Sequence, residues 1–340
     1  MDIQCNPMLL ELLNIEKNEK EQLPGKYTKL IASHLSKMEY LHPVNRHSFT
    51  CKSCGKKGIY DAGEILINHD RFSEDADIES YIQMTGYFRC KSCNDAGNWI
   101  LSTDMQGDVF MKGIMSMASG GRGFGELYLS DGSRHTYATD GEAHLLRKIK
   151  ASHDDGFIWN RLGNLYHAGG RHDLAMCAFE QAIKVDPTQL ETHYTIAMLL
   201  FDAEEYELAG THFHKALLLA RYYDQLDAEK LREMLAHGYT YLFDIRQKTN
   251  GKVELFAHYA DHPELPSPEE HEAKSIINFE VEVFPDEPES FFPLVEMYMA
   301  DRAKELPYQK RTFFRNMDRP PIKPIKEKKK KKRTKRNRKK

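Results

Sequence analysis

Apolar residues recur at helical spacing through the middle of the chain. Trp159, Leu162, Gly163 and Tyr166 form one stripe, and Ala175, Phe179 and Ala182 form a second after the break at Ala168-Gly169-Gly170. A small residue at 163 suits a close helix crossing, and Asp186-Pro187 supplies a turn where the second helix ends. The pattern returns in phase 34 residues later, with His193, Ile196, Ala197 and Leu200, then Ala209, Phe213 and Ala216. Residues 225–247 predict a long helix with Leu226, Leu231, Leu235, Tyr239 and Leu242 on one side. The stretch 249–268 is turn-rich, a helix is expected over about 269–283, and Phe291, Leu294, Val295 and Tyr298 repeat the first-helix spacing. Upstream, 7–21 and 26–40 predict two helices around Leu23-Pro24-Gly25. Leu9, Leu12 and Leu13 are positioned to pair with Leu30, Ile31 and Leu35 in a helical hairpin. Between these regions the pattern predicts strands over 58–68 and 84–101. It also predicts a hairpin of Phe124–Leu129 and Arg134–Ala138 about Ser130-Asp131-Gly132-Ser133.

Trp159, Leu162, Gly163, Tyr166, Ala175, Phe179, Ala182 and Pro187 fill the slots of W-x2-L-G-x2-Y…A-x3-F…A…P, so about residues 156–305 resemble the tetratricopeptide repeat family. The resemblance implies three to four stacked helix pairs enclosing a partner-holding groove. It assigns the signature residues to the solenoid core and puts binding on the other face of each first helix. In the first unit that row is Phe157, Asn160, Asn164 and His167, and in the second Glu191, Tyr194, Met198 and Phe201. Family members that clamp a terminal carboxylate place Lys beside Asn here. Asn160 stands where that Lys would be, which argues against a clamp.

Cys51-Lys-Ser-Cys54 and Cys90-Lys-Ser-Cys93 are two knuckles able to converge on one tetrahedral ion. Gly55 and Asn94 follow the pairs and tolerate positive φ; Phe49 and Phe88 precede them at strand spacing. The knuckles resemble those of a zinc ribbon or rubredoxin-like module, and the expected cofactor is structural Zn²⁺, with iron as the alternative. His42 and His47 lie near enough in sequence to substitute for a ligand, but the preferred reading is surface residues, since four thiolates complete the shell; Cys177 reads as repeat packing. Lys52, Lys56, Lys57, Arg89 and Lys91 lie among Tyr87, Phe88 and Trp99. They are nucleic-acid contacts or, the reading preferred, solvated strand positions.

Charge changes the picture at the C-terminus. The net charge of −3 conceals 13 Lys/Arg against one Glu over 323–340, leaving 35 Lys/Arg against 50 Asp/Glu elsewhere. Such a tail cannot bury apolar surface and is expected to be disordered. Lys329, Lys330, Lys331, Lys332, Arg333, Lys335, Arg336 and Arg338 are its candidate nucleic-acid or ribonucleoprotein contacts; the other readings are an import signal and a solubilising tail. The tail has no aromatic residue for base stacking. No apolar run suits a membrane span, the first residues lack a secretory pattern, and the expected compartment is the cytoplasm, or the nucleus in a eukaryote.

Catalytic patterns are absent: there is no His-Glu-x-x-His, no Gly-x-Ser-x-Gly and no deaminase arrangement. A zinc-braced His-Asn-His nuclease finds only Asn68-His69-Asp70. The glycine-rich run 119–125 is neither a dinucleotide fingerprint nor a phosphate loop. The expectation is an α+β multidomain, non-enzymatic adaptor that is mainly α. A helical hairpin (1–41) leads to a zinc-stabilised β-rich domain (42–150), a tetratricopeptide-like solenoid (151–305) that binds a protein or peptide, and a linker with the basic tail (306–340). The alternative is a nucleic-acid-binding protein using the zinc module and tail.

Overall fold

The computed structural model describes residues 4–15, 23–73, 75–118, 126–268 and 280–313. The helical region is built from α5 (Ala138–Ala151), α6 (Gly156–Ala168), α7 (His172–Val185), α8 (Leu190–Asp202), α9 (Tyr206–Leu219) and α10 (Ala228–Lys248). Asp155 caps α6 by accepting from Phe157 N and Ile158 N, and Asp227 caps α10 by accepting from Lys230 N. Three first helices end alike. Arg171 N bonds Tyr166 O, Glu205 N bonds Leu200 O and Gly251 N bonds Arg246 O, with Gly170, Glu204 and Asn250 at positive φ.

The signature residues form the core. Trp159, Leu162, Tyr166, Ala175, Phe179 and Ala182 are buried, as are Ile196, Ala197, Leu200, Ala209, Phe213 and Ala216. A Cβ on Gly163 would lie 2.3 Å from a ring carbon of Phe179, which is the close crossing the sequence implied. His193, in the second unit's Trp slot, is buried beside His212 with Nδ1···Nδ1 2.9 Å. After α10 the turn-rich segment folds over α9, where Tyr259 OH donates to Leu218 O at 2.7 Å. A 3-10 turn (Pro288–Phe291) and α11 (Phe292–Met299) close this end against α10 through stacked Tyr239 and Phe291 and the buried pair Arg232–Glu296, 3.0 Å. The helix expected over 269–283 falls mostly outside the described residues, and 280–283 carry no regular element.

The N-terminal hairpin is corrected. The helices are shorter, α1 (Pro7–Leu12) and α2 (Lys26–Ser33), and they dock on the repeats: α1 packs on α5 and α2 on α7. Leu9, Leu23 and Ile31 are buried in the same core as Leu146 and Phe179. Gly25 gives α2 no side-chain cap, so Glu180 on α7 supplies one, accepting from Tyr27 N at 3.0 Å and Thr28 N at 2.8 Å.

The cysteine-bearing module has a small antiparallel sheet, β2 (Lys57–Asp61), β1 (Arg46–Cys51), β5 (Trp99–Leu101) in that order. It also has a two-stranded ladder, β3 (Ile65–Ile67) with β4 (Ile82–Met84). Phe49 pairs with Leu101, and Cys51 with Trp99. Phe49, Tyr60, Phe88 and Trp99 fill its core with ring centroids 4.8–6.2 Å apart. It is less β-rich than its alternation suggested. A short helix α3 (Ile78–Tyr81) precedes β4, and α4 (Thr103–Ala118) follows β5. The turn at 130–133 forms, with Leu129 N on Ser133 O at 2.9 Å, but the described flanks are not strands and Ala138 begins α5. Leu145, Leu146 and Ile149 place α5 in the repeat core.

Candidate metal centre and repeat groove

Each knuckle is a tight turn whose backbone fixes its two thiols. Cys51 N bonds Lys56 O and Gly55 N bonds Cys51 O; the second knuckle repeats this with Cys90 N on Asp95 O and Asn94 N on Cys90 O. Gly55 and Asn94 take the positive φ that lets the chain reverse, at 71° and 60°. All four sulfurs lie within 4.8 Å of one another, with Cys51 Sγ···Cys93 Sγ 3.7 Å and Cys54 Sγ···Cys90 Sγ 3.6 Å. Sulfurs about 2.3 Å from a tetrahedral ion are themselves about 3.8 Å apart, so the cluster is sized for a metal. Cys51 and Cys90 are buried, while Cys54 and Cys93 lie at the surface. Burial resists ionisation of Cys90, while hydrogen bonds from the Cys93 and Ser92 N–H groups and from the Cys54 and Cys93 thiols favour its thiolate. His42 pairs with Glu64 at 3.2 Å and His47 bonds Asn45 at 2.7 Å, away from the thiols. Asn68 caps the 3-10 turn His69–Arg71 by accepting from Arg71 N at 3.0 Å.

The second knuckle is tied directly to the repeats. Arg89, next to Cys90, spans the junction: Nε donates to Asn94 O at 3.0 Å and Nη1 to Glu142 of α5 at 3.0 Å. Glu142 is fully buried and also accepts from Asn6 Nδ2, Tyr87 OH and Tyr166 OH, at 3.2, 2.9 and 2.6 Å. Burial raises its pKa; the hydrogen bonds from Tyr166, Tyr87 and Asn6 and the Arg89 charge work against that. Asn94 Nδ2 reaches Cys5 O at 3.0 Å and Tyr87 N bonds Gly169 O at 3.1 Å. The sequence carried a signal for this network: Glu142 precedes Leu145, Leu146 and Ile149 by three, four and seven residues, a carboxylate on an apolar helical stripe.

The predicted groove row divides. Phe157, Asn164, Tyr194, Met198 and Phe201 stay partly open to solvent, whereas Asn160 and His167 are buried. Asn160 has no hydrogen-bond partner on either side-chain polar atom among the described residues. His167 packs on His172, and burial, then that neighbour, lowers its pKa to about 4. Glu191 is engaged by Arg161 and by Tyr223 OH at 2.7 Å. Phe157 lies under the Arg161 guanidinium at 4.5 Å, Tyr194 meets Phe213 edge-on at 5.6 Å, and Phe201 meets Tyr241 at 5.0 Å. The eight tail residues Lys329, Lys330, Lys331, Lys332, Arg333, Lys335, Arg336 and Arg338 lie outside the described residues.

Compared with known proteins, residues 158–189, running from α6 through α7 to the residue before α8, match the tetratricopeptide repeat family. No curated protein matches the chain significantly. No described helix is long and apolar enough to cross a membrane. The chain thus contains a tetratricopeptide repeat joined to a four-cysteine cluster able to hold a metal ion.

Proposed function

We propose that the protein is a non-enzymatic adaptor that holds a protein or peptide along the face formed by α6 and α8, working in the cytoplasm or nucleus. The observation that carries this reading is the matched repeat with its neighbouring helix pairs, because such stacks serve recognition. The partly open aromatic and thioether row supports it: Tyr194, Met198 and Phe201 offer adaptable apolar contact beside Asn164. Zn²⁺ is the ion proposed for Cys51, Cys54, Cys90 and Cys93, where four thiolates fill a closed shell with no position for a reacting water. Its part is then to brace the module.

Photo-crosslinking side chains at positions 164 and 198, with a control at exposed Glu207 on α9, test the groove in full-length protein. The same partner is expected at 164 and 198 and not at 207. Equal capture at all three, or capture at 207 alone, would sink the reading. The charge of the tail favours a second reading, nucleic-acid binding. That binding would weaken steeply with salt and disappear on neutralising Lys329–Lys332. Salt-insensitive retention of nucleic acid by that variant would remove the tail from consideration.

A further inference from the structure

The groove row of α8 ends in a carboxylate. Tyr194, Met198 and Asp202 follow one another at four-residue steps on one helical face, with Phe201 beside them. Tyr206 and Tyr241 meet the Phe201 ring there at 5.5 and 5.0 Å, and all three rings stay partly open to solvent. Asp202 is half-buried and faces a second carboxylate, Glu39, from the segment after α2; burial and then that charge raise its pKa to about 6. The neighbouring lysines are already paired, Lys37 with Glu204 at 2.7 Å and Lys248 with Asp244 at 3.7 Å. Counted with these partners, four carboxylates against two lysines leave two negative charges at this end of the groove. The rings also suit a cation: Lys248 Nζ lies 5.9 Å from the Phe201 ring centre and 5.2 Å from that of Tyr206.

A basic segment of the same chain lies within reach. Phe313 N bonds Glu296, which pairs with Arg232 of α10. From Arg232 to Tyr241 is about 14 Å along the axis and across to the opposite face of a helix about 10 Å wide. Residues 314–325 span up to about 40 Å, which covers that path. The stretch 326–340 that follows carries 12 Lys/Arg against one Glu. We propose that this tail lies over the acidic end of the groove, its cationic heads on Asp202 and Glu39 and their methylene stems on the Phe201, Tyr206 and Tyr241 rings. Seated there, the tail competes with the partner for the groove.

The test follows the Met198 methyl resonance, assigned with Met198→Leu, in full-length, metal-loaded protein at physiological salt, where exposed charges beyond about 8 Å are screened. Changing every Lys and Arg between 329 and 338 to Gln is expected to shift that resonance. A synthetic peptide of residues 326–340 should return it to the wild-type position, saturably and below the roughly millimolar level at which a short tether holds the tail. In the same background, Glu39→Gln with Asp202→Asn should weaken the peptide tenfold or more. Glu207→Gln with Glu254→Gln, the same charge change at exposed positions away from the groove, should leave it within twofold. If the first pair misfolds by circular dichroism, Glu39→Gln alone takes its place, with a threefold loss expected. A Met198 resonance unmoved by tail neutralisation, a peptide that does not saturate, or equal weakening by the two acid pairs overturns the proposal. The competition rests on the groove reading, which crosslinking at 164 and 198 in the tail-neutralised protein checks separately, so either can fail alone.

Discussion

Glu142 is the residue whose loss should be felt most widely. It is a buried carboxylate with one cationic partner and three neutral donors, and it joins α5, α6 and the second knuckle. Glu142→Ala would leave Arg89 charged and buried, a change that costs about 3–5 kcal/mol. Urea unfolding followed by helical circular dichroism measures it; a loss below 1 kcal/mol would show that the pair is not buried in solution. Gly163→Ala pushes a methyl into Phe179, and overpacking of this kind costs about 1–3 kcal/mol by the same assay. The buried histidines set an acid limit. Burial lowers His193 to about 4 and holds His212 well below the usual histidine range, the latter also opposed by the His193 charge. Both are neutral in the folded and unfolded chain above about pH 6.5, so nothing is lost there. As pH falls below that, the unfolded chain binds protons the folded chain refuses, and stability drops between about pH 6.5 and 4. By pH 5 His193 alone accounts for about 2 kcal/mol. Replacing it with Gln should flatten the fall in urea midpoint between pH 7.5 and 5, and an unchanged slope would count against the burial.

Among elements, the first-helix and second-helix pairs were legible because their signal is local. Each presents one apolar face at a period near 3.6, and each is punctuated by residues with a backbone reason to stop, such as Gly170 at φ 74°. The short strands were not legible to the same degree. β3, β4 and β5 have three residues each, too few for alternation to be diagnostic, and their partners are distant in sequence. α2 shows how tertiary contact completes an element. Its N-terminal amides are satisfied by Glu180 from another helix, so Glu180→Ala should release α2 while the repeats stay folded. Faster amide exchange confined to Tyr27–Ile31 is the expected result; protection equal to wild type would place the docking elsewhere.

At the scale of the whole molecule, the cysteine module and the repeats share structure as well as chain. The knuckle that presents Cys90 and Cys93 also delivers Arg89 to Glu142, so metal loading should reach the repeat core. Removing the metal with a strong chelator is expected to lower the thermal midpoint of the helical signal, and readdition of Zn²⁺ to restore it. Cys51→Ser or Cys90→Ser should lose both the metal and the ordered module. A serine variant that keeps its fold without metal would refute the structural role of the cluster.

The sequence by itself determined the repeat, its register and the identity of four metal-competent thiols. Those features are written in short-range spacing: turn-by-turn apolar stripes, a 34-residue echo and two Cys-x-x-Cys knuckles. It also placed Asn160 and His167 on the row with Asn164, since helical geometry fixes which residues share a face. Tertiary structure decided how far each is exposed, because neighbouring elements cover Asn160 and His167 and leave Met198 and Phe201 partly open. It also decided where the N-terminal helices dock and that Glu142 meets Arg89 across 53 residues. Contacts between segments far apart in the chain have no period to reveal them and exist only once the chain has packed.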